Sequence, residues 1–327
     1  MESDAARAPV TDVVMQQVQA AKPPAVKAKS AIVVDAATGQ AVWEKDADAR
    51  LPMASVAKTM TGLVALEQLK PDTPVTVRID PAQLAGLSIA GLRNGERLPV
   101  SELMYALMLP SGADAALVLA QATSGSVDQF VALMNRRAGE LGMGSTHWVN
   151  VHGDDAPGQV STARDLARLG RAAVAQPLMA EVVRAKQHSV RGLSVTYSWT
   201  NSNELLSRRD DVDGIKTGTT PLAGDTLLAS ATQGQRKAIA VVMNSPDRWG
   251  ETSALFDVYF RQYTRATPAL PPSPFYRGLK VTAPAAETVP LWQAGLLSFR
   301  IELSGDAGTA TWELAGRPLG GPVPLSR

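Results

Sequence analysis

No cysteine occurs among the 327 residues, which excludes disulfides, thiol nucleophiles and thiolate metal sites together and is compatible with an oxidising compartment. Histidine is scarce: His147, His152 and His188 are the three, none in a helical metal-binding pattern or a Gly-x-Ser-x-Gly elbow, so they read as structural. No metal and no cofactor is expected. An excess of one charge is also missing, because 32 basic and 31 acidic residues leave a formal +1 with no dense basic stripe, which argues against nucleic acid as a partner. No apolar run approaches the roughly 20 residues that cross a bilayer. The start, Met1-Glu2-Ser3-Asp4, has neither a basic nor an apolar leader region, so the protein either stays inside the cell or is exported with its leader trimmed; the second reading is favoured.

What is present is ample apolar material, 45% of residues, enough for one large unit and a smaller one. Residues 1–28 are rich in Ala, Pro, Gln and Lys and read as a tail, since Lys22-Pro23-Pro24 breaks any helix there. Ala31-Ile32-Val33-Val34-Asp35 and Gln40-Ala41-Val42-Trp43-Glu44, joined by Ala36-Ala37-Thr38-Gly39, have a hairpin signature. From Val56 the positions Val56, Met60, Leu63 and Val64 follow helical spacing, and 101–108 and 115–122 are two further helices split by Pro110-Ser111-Gly112. Two apolar runs at 226–231 and 238–243 flank Gln233-Gly234-Gln235, a late hairpin able to join the early strands in one antiparallel sheet. The crowding of Pro268, Pro271, Pro272 and Pro274 then marks a boundary, beyond which 279–282, 297–303 and 309–314 alternate as strands do. The expected fold class is α+β: a main domain over 29–265, an antiparallel sheet with a helical cluster, and a small β-rich C-terminal module at 277–327.

The chemistry is concentrated in three places. Ser55-Val56-Ala57-Lys58 opens the first long helix, where i and i+3 share a face and set a hydroxyl beside an amine. A lysine can take the serine proton if burial and a second cation lower its pKa from about 10.4. By itself this spacing is expected about once by chance in a chain of this size, and its plain reading is a helix cap with an exposed lysine. Ser111-Gly112-Ala113-Asp114 sits in the break between two helices, where a turn can point a hydroxyl into a cleft, or be only a loop. Asp213-Gly214-Ile215-Lys216-Thr217-Gly218-Thr219-Thr220 places a cation, a hydroxyl and a flexible glycine just ahead of the late hairpin. Asp154-Asp155, an adjacent carboxylate pair, reads as solvent-facing.

In this order the three resemble the Ser-x-x-Lys, Ser-x-Asn and Lys-Thr-Gly motifs of penicillin-binding proteins and serine β-lactamases. The stretch 30–263 is similar to the low-molecular-mass D-alanyl-D-alanine carboxypeptidases, with Val151-His152-Gly153 and the run 158–166 adding to the match. The resemblance implies the β-lactamase/transpeptidase-like fold. It also implies that Ser55 is acylated with Lys58 as its base, that Ser111 and Lys216 pass protons and bind substrate, and that Thr217 holds the terminal carboxylate. Gly218 belongs to the substrate-binding strand, the backbone N–H groups of Ser55 and Thr219 form the oxyanion hole, and Arg248 is the nearest arginine for the carboxylate. Implied partners are peptidoglycan pentapeptide stems and, as inhibitors, β-lactams, met outside the cytoplasmic membrane.

One position departs from the family: Ala113 stands where the middle motif has asparagine, which removes an amide that bonds the substrate. Such a contact is worth about 1–3 kcal/mol, so activity is expected to be reduced and Ala113→Asn to raise turnover, with stability unchanged if the turn is solvent-lined. Two rivals follow, a weakly catalytic cell-wall scaffold and a β-lactamase, although no Glu-x-x-x-Asn segment follows Ser111. Related enzymes often end in an amphipathic helix, whereas Gly316, Pro318, Gly320, Gly321, Pro322 and Pro324 exclude one here, leaving a chain either free of the membrane or cut short of an anchor.

Overall fold

The computed structural model describes residues 24–266 and, beyond them, 280–281, 287–290, 297–304, 307–314, 317–318 and 322–326. Most of the tail read over 1–28, and the prolines from Pro268 to Pro274, lie outside the described residues. Two compact units are distinguished, Pro24–Phe256 and the described residues of Asp257–Arg327.

The first unit begins with β1 (Ser30–Asp35) and β2 (Ala41–Lys45), followed by α1 (Ala57–Gln68), β3 (Pro74–Thr76) and β4 (Arg97–Pro99). The helices α2 (Val100–Met108), α3 (Ala113–Ser124), α4 (Val127–Glu140), α5 (Ala163–Ala175) and α6 (Pro177–Arg184) fill the middle. Then come β5 (Gln187–Arg191), β6 (Thr196–Thr200), α7 (Leu205–Arg208), β7 (Val212–Thr220), β8 (Gly224–Gln233), β9 (Arg236–Ser245) and α8 (Arg248–Gln262). The late hairpin closes on the early one: β1 pairs antiparallel with β2 on one side and β9 on the other, giving the order β2-β1-β9-β8-β7. Every residue of β1 is buried, which explains why its sequence is a continuous apolar run rather than an alternation: both faces of the sheet are covered.

Helix α1 is buried all round from Ala57 to Leu66 and packs against α2, α3, α4 and α5 at the centre of the helical cluster. Its N-terminal end therefore emerges beside the sheet, next to β7, which is the edge strand. The segment 213–220, expected just ahead of the late hairpin, is part of that strand, because its residues pair along β8 from Gly214 opposite Ser230 to Thr220 opposite Gly224. In the second unit β10 (Tyr263–Ala266) pairs with β12 (Glu287–Pro290). A five-stranded antiparallel sheet contains β11 (Lys280–Val281), β16 (Val323–Ser326), β14 (Ala307–Leu314) and β13 (Leu297–Ser304), with β15 (Arg317–Pro318) on β14. Ala310, Trp312 and Leu325 are buried there. No helix among the described residues is long and apolar enough to cross a membrane.

Candidate active site

Ser55 lies in the 3₁₀ turn Ala54–Val56 that leads into α1, half-buried between two buried neighbours. The turn is gripped by two glycine backbones. A Cβ on Gly153, whose φ is +92°, would fall 1.9 Å from the carbonyl oxygen of Ala54; one on Gly218 would fall 2.9 Å from the Ala54 Cβ and 3.0 Å from the Ser55 nitrogen. Ala54 itself adopts a φ of +50°, a left-handed conformation that a non-glycine residue holds only when its surroundings impose it. Close backbone approach is thus what fixes the serine, and it requires residues without side chains on both flanks.

One turn along, the Nζ of Lys58 is 2.9 Å from Ser55 Oγ and donates to the carbonyl oxygen of His152 at 2.7 Å. The side chain is 2% exposed. Burial, the largest influence, pushes the amine down to about 7, against the opposing pull of the Asp114 and Asp154 carboxylates. The second cation anticipated from the sequence is not among the causes of that drop; desolvation leads. Lys216 on β7 is equally buried and its amine is also pushed well below the usual lysine value, first by burial and then by the positive charges of Lys58 and Arg248. The His152 imidazole is lowered to about 4, by burial and by Lys58, and its Nδ1 accepts from the Asp154 backbone N–H at 3.3 Å.

Ser111, in the turn before α3, has a φ of +64° and a buried hydroxyl that makes no hydrogen bond within the described residues. Ala113 has no exposed surface at all, which corrects the expectation of a solvent-lined turn: it is the first residue of α3, and its N–H donates to Ser88 O at 2.8 Å. Asp114 is buried and does not take over the missing amide. Its two carboxylate oxygens accept from the N–H groups of Ala90 at 2.8 Å and Leu92 at 2.9 Å, holding the 88–92 loop to the start of the helix.

On β7, Lys216 Nζ donates to Thr217 O at 3.0 Å and reaches Thr217 Oγ1 at 3.4 Å. Thr217 Oγ1 also pairs with Ser202 Oγ at 2.8 Å. Arg248 Nη1 donates to Gly218 O at 3.2 Å and to Thr219 Oγ1 at 2.8 Å and lies 3.3 Å from Asp225, so the arginine is seated on the Lys-Thr-Gly strand. The residues read from the sequence therefore converge: Ser55 and Lys58 on the α1 end, and Lys216, Thr217, Gly218, Thr219 and Arg248 along the sheet edge. Ser111 is joined to that edge through the bond from Ser202 N–H to Leu109 O, 3.0 Å, two residues ahead of it.

Sequence reading missed the His152 carbonyl, Gly153, Asp155 and Ser202. His152 acts here through its backbone, so its residue type carries no signal. Gly153 sits in a motif already noted for its resemblance, and a glycine there was the available clue. Asp155 does not simply face solvent: it accepts from Thr220 Oγ1 at 2.7 Å and Leu222 N–H at 3.0 Å, tying its loop to the end of β7. A hollow of about 720 Å³ opens near the far end of α1, beside Leu69, Val75 and Val118, and holds none of the motif residues.

A family model described as D-alanyl-D-alanine carboxypeptidase matches residues 17–247. Among curated relatives, D-alanyl-D-alanine carboxypeptidase DacC of Escherichia coli is 38% identical over 273 residues, 79% of this chain and 67% of its own length. DacA of Escherichia coli is 36% identical over 75% of this chain and 64% of its own. The chain thus spans about two thirds of the length of these relatives. Among solved structures, penicillin binding protein 6B from Escherichia coli superposes with a TM-score of 0.80 at 31% identity, over 92% of this chain and 96% of that one. The Streptomyces K15 DD-transpeptidase gives 0.70 at 30% identity, over 72% and 98%.

Proposed function

The chain belongs to the D-alanyl-D-alanine carboxypeptidase family, and we propose that it removes the terminal D-Ala from peptidoglycan stem peptides through an acyl-enzyme on Ser55. The observation that carries this reading is the pairing of half-buried Ser55 with buried Lys58, 2.9 Å apart, with the amine lowered to about 7. A neutral amine has one lone pair and two N–H groups; the His152 carbonyl accepts a hydrogen bond from one of them and so leaves the lone pair free to turn towards Ser55 Oγ. Ser55 then attacks the carbonyl of the penultimate D-Ala while Lys58 receives its proton. The developing oxyanion faces the backbone N–H groups of Ser55 and Thr219, a reading supported by Gly218, where a Cβ would fall 3.0 Å from the Ser55 nitrogen. Ser111, whose hydroxyl has no competing partner among the described residues, relays the proton from Lys58 to the departing amine. Water afterwards hydrolyses the ester, with Lys58 again as base.

Substrate backbone adds alongside β7, whose outer edge is not covered by another strand among the described residues. Arg248 supplies the positive charge, and Lys216 and Thr217 supply hydrogen-bond donors, for the terminal carboxylate. β-Lactams, which present an acylating carbonyl and a carboxylate in the same relation, acylate Ser55 and block it. The activity resides in residues 29–265, with the module at 277–327 as a separate unit, and is exercised on the outer side of the cytoplasmic membrane.

Labelled penicillin with peptide mapping, together with turnover of diacetyl-Lys-D-Ala-D-Ala, tests the proposal. An adduct on Ser55, absent in Ser55→Ala, with D-Ala release supports it. An adduct without D-Ala release favours the scaffold reading that Ala113 prompts, and rapid nitrocefin hydrolysis favours a β-lactamase.

A further inference from the structure

Ser202 lies in the loop between β6 and α7, outside the three motifs, and its position is fixed by backbone bonds. Its own N–H donates to Leu109 O at 3.0 Å. The neighbouring Asn201 donates from its side chain to Val183 O at 3.3 Å and Ala185 O at 2.9 Å, and from its backbone to Lys186 O at 2.8 Å. Asn201 Oδ1 accepts from Asn203 N–H at 2.9 Å. The Ser202 side chain contributes nothing to this fastening. It is exposed, and its hydroxyl meets Thr217 Oγ1 at 2.8 Å.

A threonine hydroxyl has one proton and two lone pairs. Lys216 Nζ, a donor 3.4 Å away, is directed at one lone pair of Thr217, and Ser202 Oγ lies 2.8 Å from the same oxygen, a pair in which either hydroxyl can donate. When Ser202 donates, both lone pairs are engaged and the Thr217 proton, with no other partner among the described residues, is left for an incoming anion. We infer that Ser202 is a positioning residue for substrate selection: by donating to Thr217 it holds the threonine proton toward the C-terminal carboxylate and so sets the preference for substrates ending in a free acid. The inference rests on the acyl-transfer site of the proposed function, with Thr217 as the carboxylate contact.

Loss of one such orienting bond should weaken carboxylate binding about three- to tenfold. Ser202→Ala should therefore raise KM for diacetyl-Lys-D-Ala-D-Ala by that factor with kcat nearly unchanged, while Ser202→Thr restores KM. A parallel measurement does not depend on peptide turnover: the acylation rate of benzylpenicillin relative to its methyl ester should fall by the same factor in Ser202→Ala. Thermal unfolding should be level in all variants, since the side chain is exposed. A wild type that releases no D-Ala yet discriminates penicillin from its ester overturns the peptidase reading and leaves this inference standing. Equal losses on acid and ester, a fall in kcat alone, or no change in discrimination overturns the inference itself, as does a wild type that prefers neither acid nor ester.

Discussion

The Nζ of Lys58 donates to the backbone carbonyl of His152 at 2.7 Å, across 94 positions of sequence, and the same nitrogen lies 2.9 Å from Ser55 Oγ. A buried amine has few ways to be satisfied, and a carbonyl that accepts one hydrogen bond supports either charge state. That leaves burial to decide the titration, and burial favours the neutral, basic form.

The rate of Ser55 acylation by penicillin should accordingly rise as pH increases through about 7 and then level off, as Lys58 loses its proton. Stop-flow acylation across pH 5.5–9 checks this; a flat profile would remove Lys58 as the base. The same shift has a stability consequence. Between about 7 and the ordinary lysine value of 10.5 the unfolded chain holds a proton that the folded chain does not, so stability increases with pH across that window. Lys58→Met should be more stable than the wild type at pH 6.5, on the order of a few kcal/mol, and the advantage should shrink toward pH 10. A pH-independent difference in denaturant unfolding would contradict the shift.

Gly153→Ala should lower acylation at least about a hundredfold and cost roughly 2–4 kcal/mol of stability, because a Cβ 1.9 Å from Ala54 O must push the nucleophile turn away. Gly158→Ala is the control. Its φ of +87° is similar, but a Cβ there meets nothing nearer than 3.9 Å, so it should show only the backbone cost of about 1 kcal/mol and keep its acylation rate. If both variants lose activity alike, the left-handed backbone rather than the contact on Ala54 is responsible.

Ala113→Asn should destabilise the protein by about 1–3 kcal/mol, because the amide has to enter a site with no exposed surface. This reverses the stability expectation drawn from the sequence. Any gain in turnover from the added amide has to be measured on folded protein, by active-site titration with penicillin, and an unchanged Tm would show that the start of α3 yields easily.

What the sequence determined by itself was the set of candidate side chains and their order. Ser55 and Lys58 are legible because i and i+3 on a helix share a face whatever the rest of the fold does, and the two hairpins are legible because short apolar runs bounded by turn residues are local signals. The sheet-edge position of 213–220 was not read, since Asp213, Lys216 and its threonines resemble a polar loop until β8 pairs with them. Tertiary structure alone decided the His152 carbonyl at Lys58, the two glycine backbones clasping Ala54 and Ser55, and the Ser202 hydroxyl at Thr217. These are contacts of the main chain or of a single common hydroxyl, between segments far apart in sequence, and no residue type announces them. The lowered pKa of Lys58 belongs to the same class. Its cause is exclusion of water by the helices packed around α1, a property of the assembled core that no motif encodes.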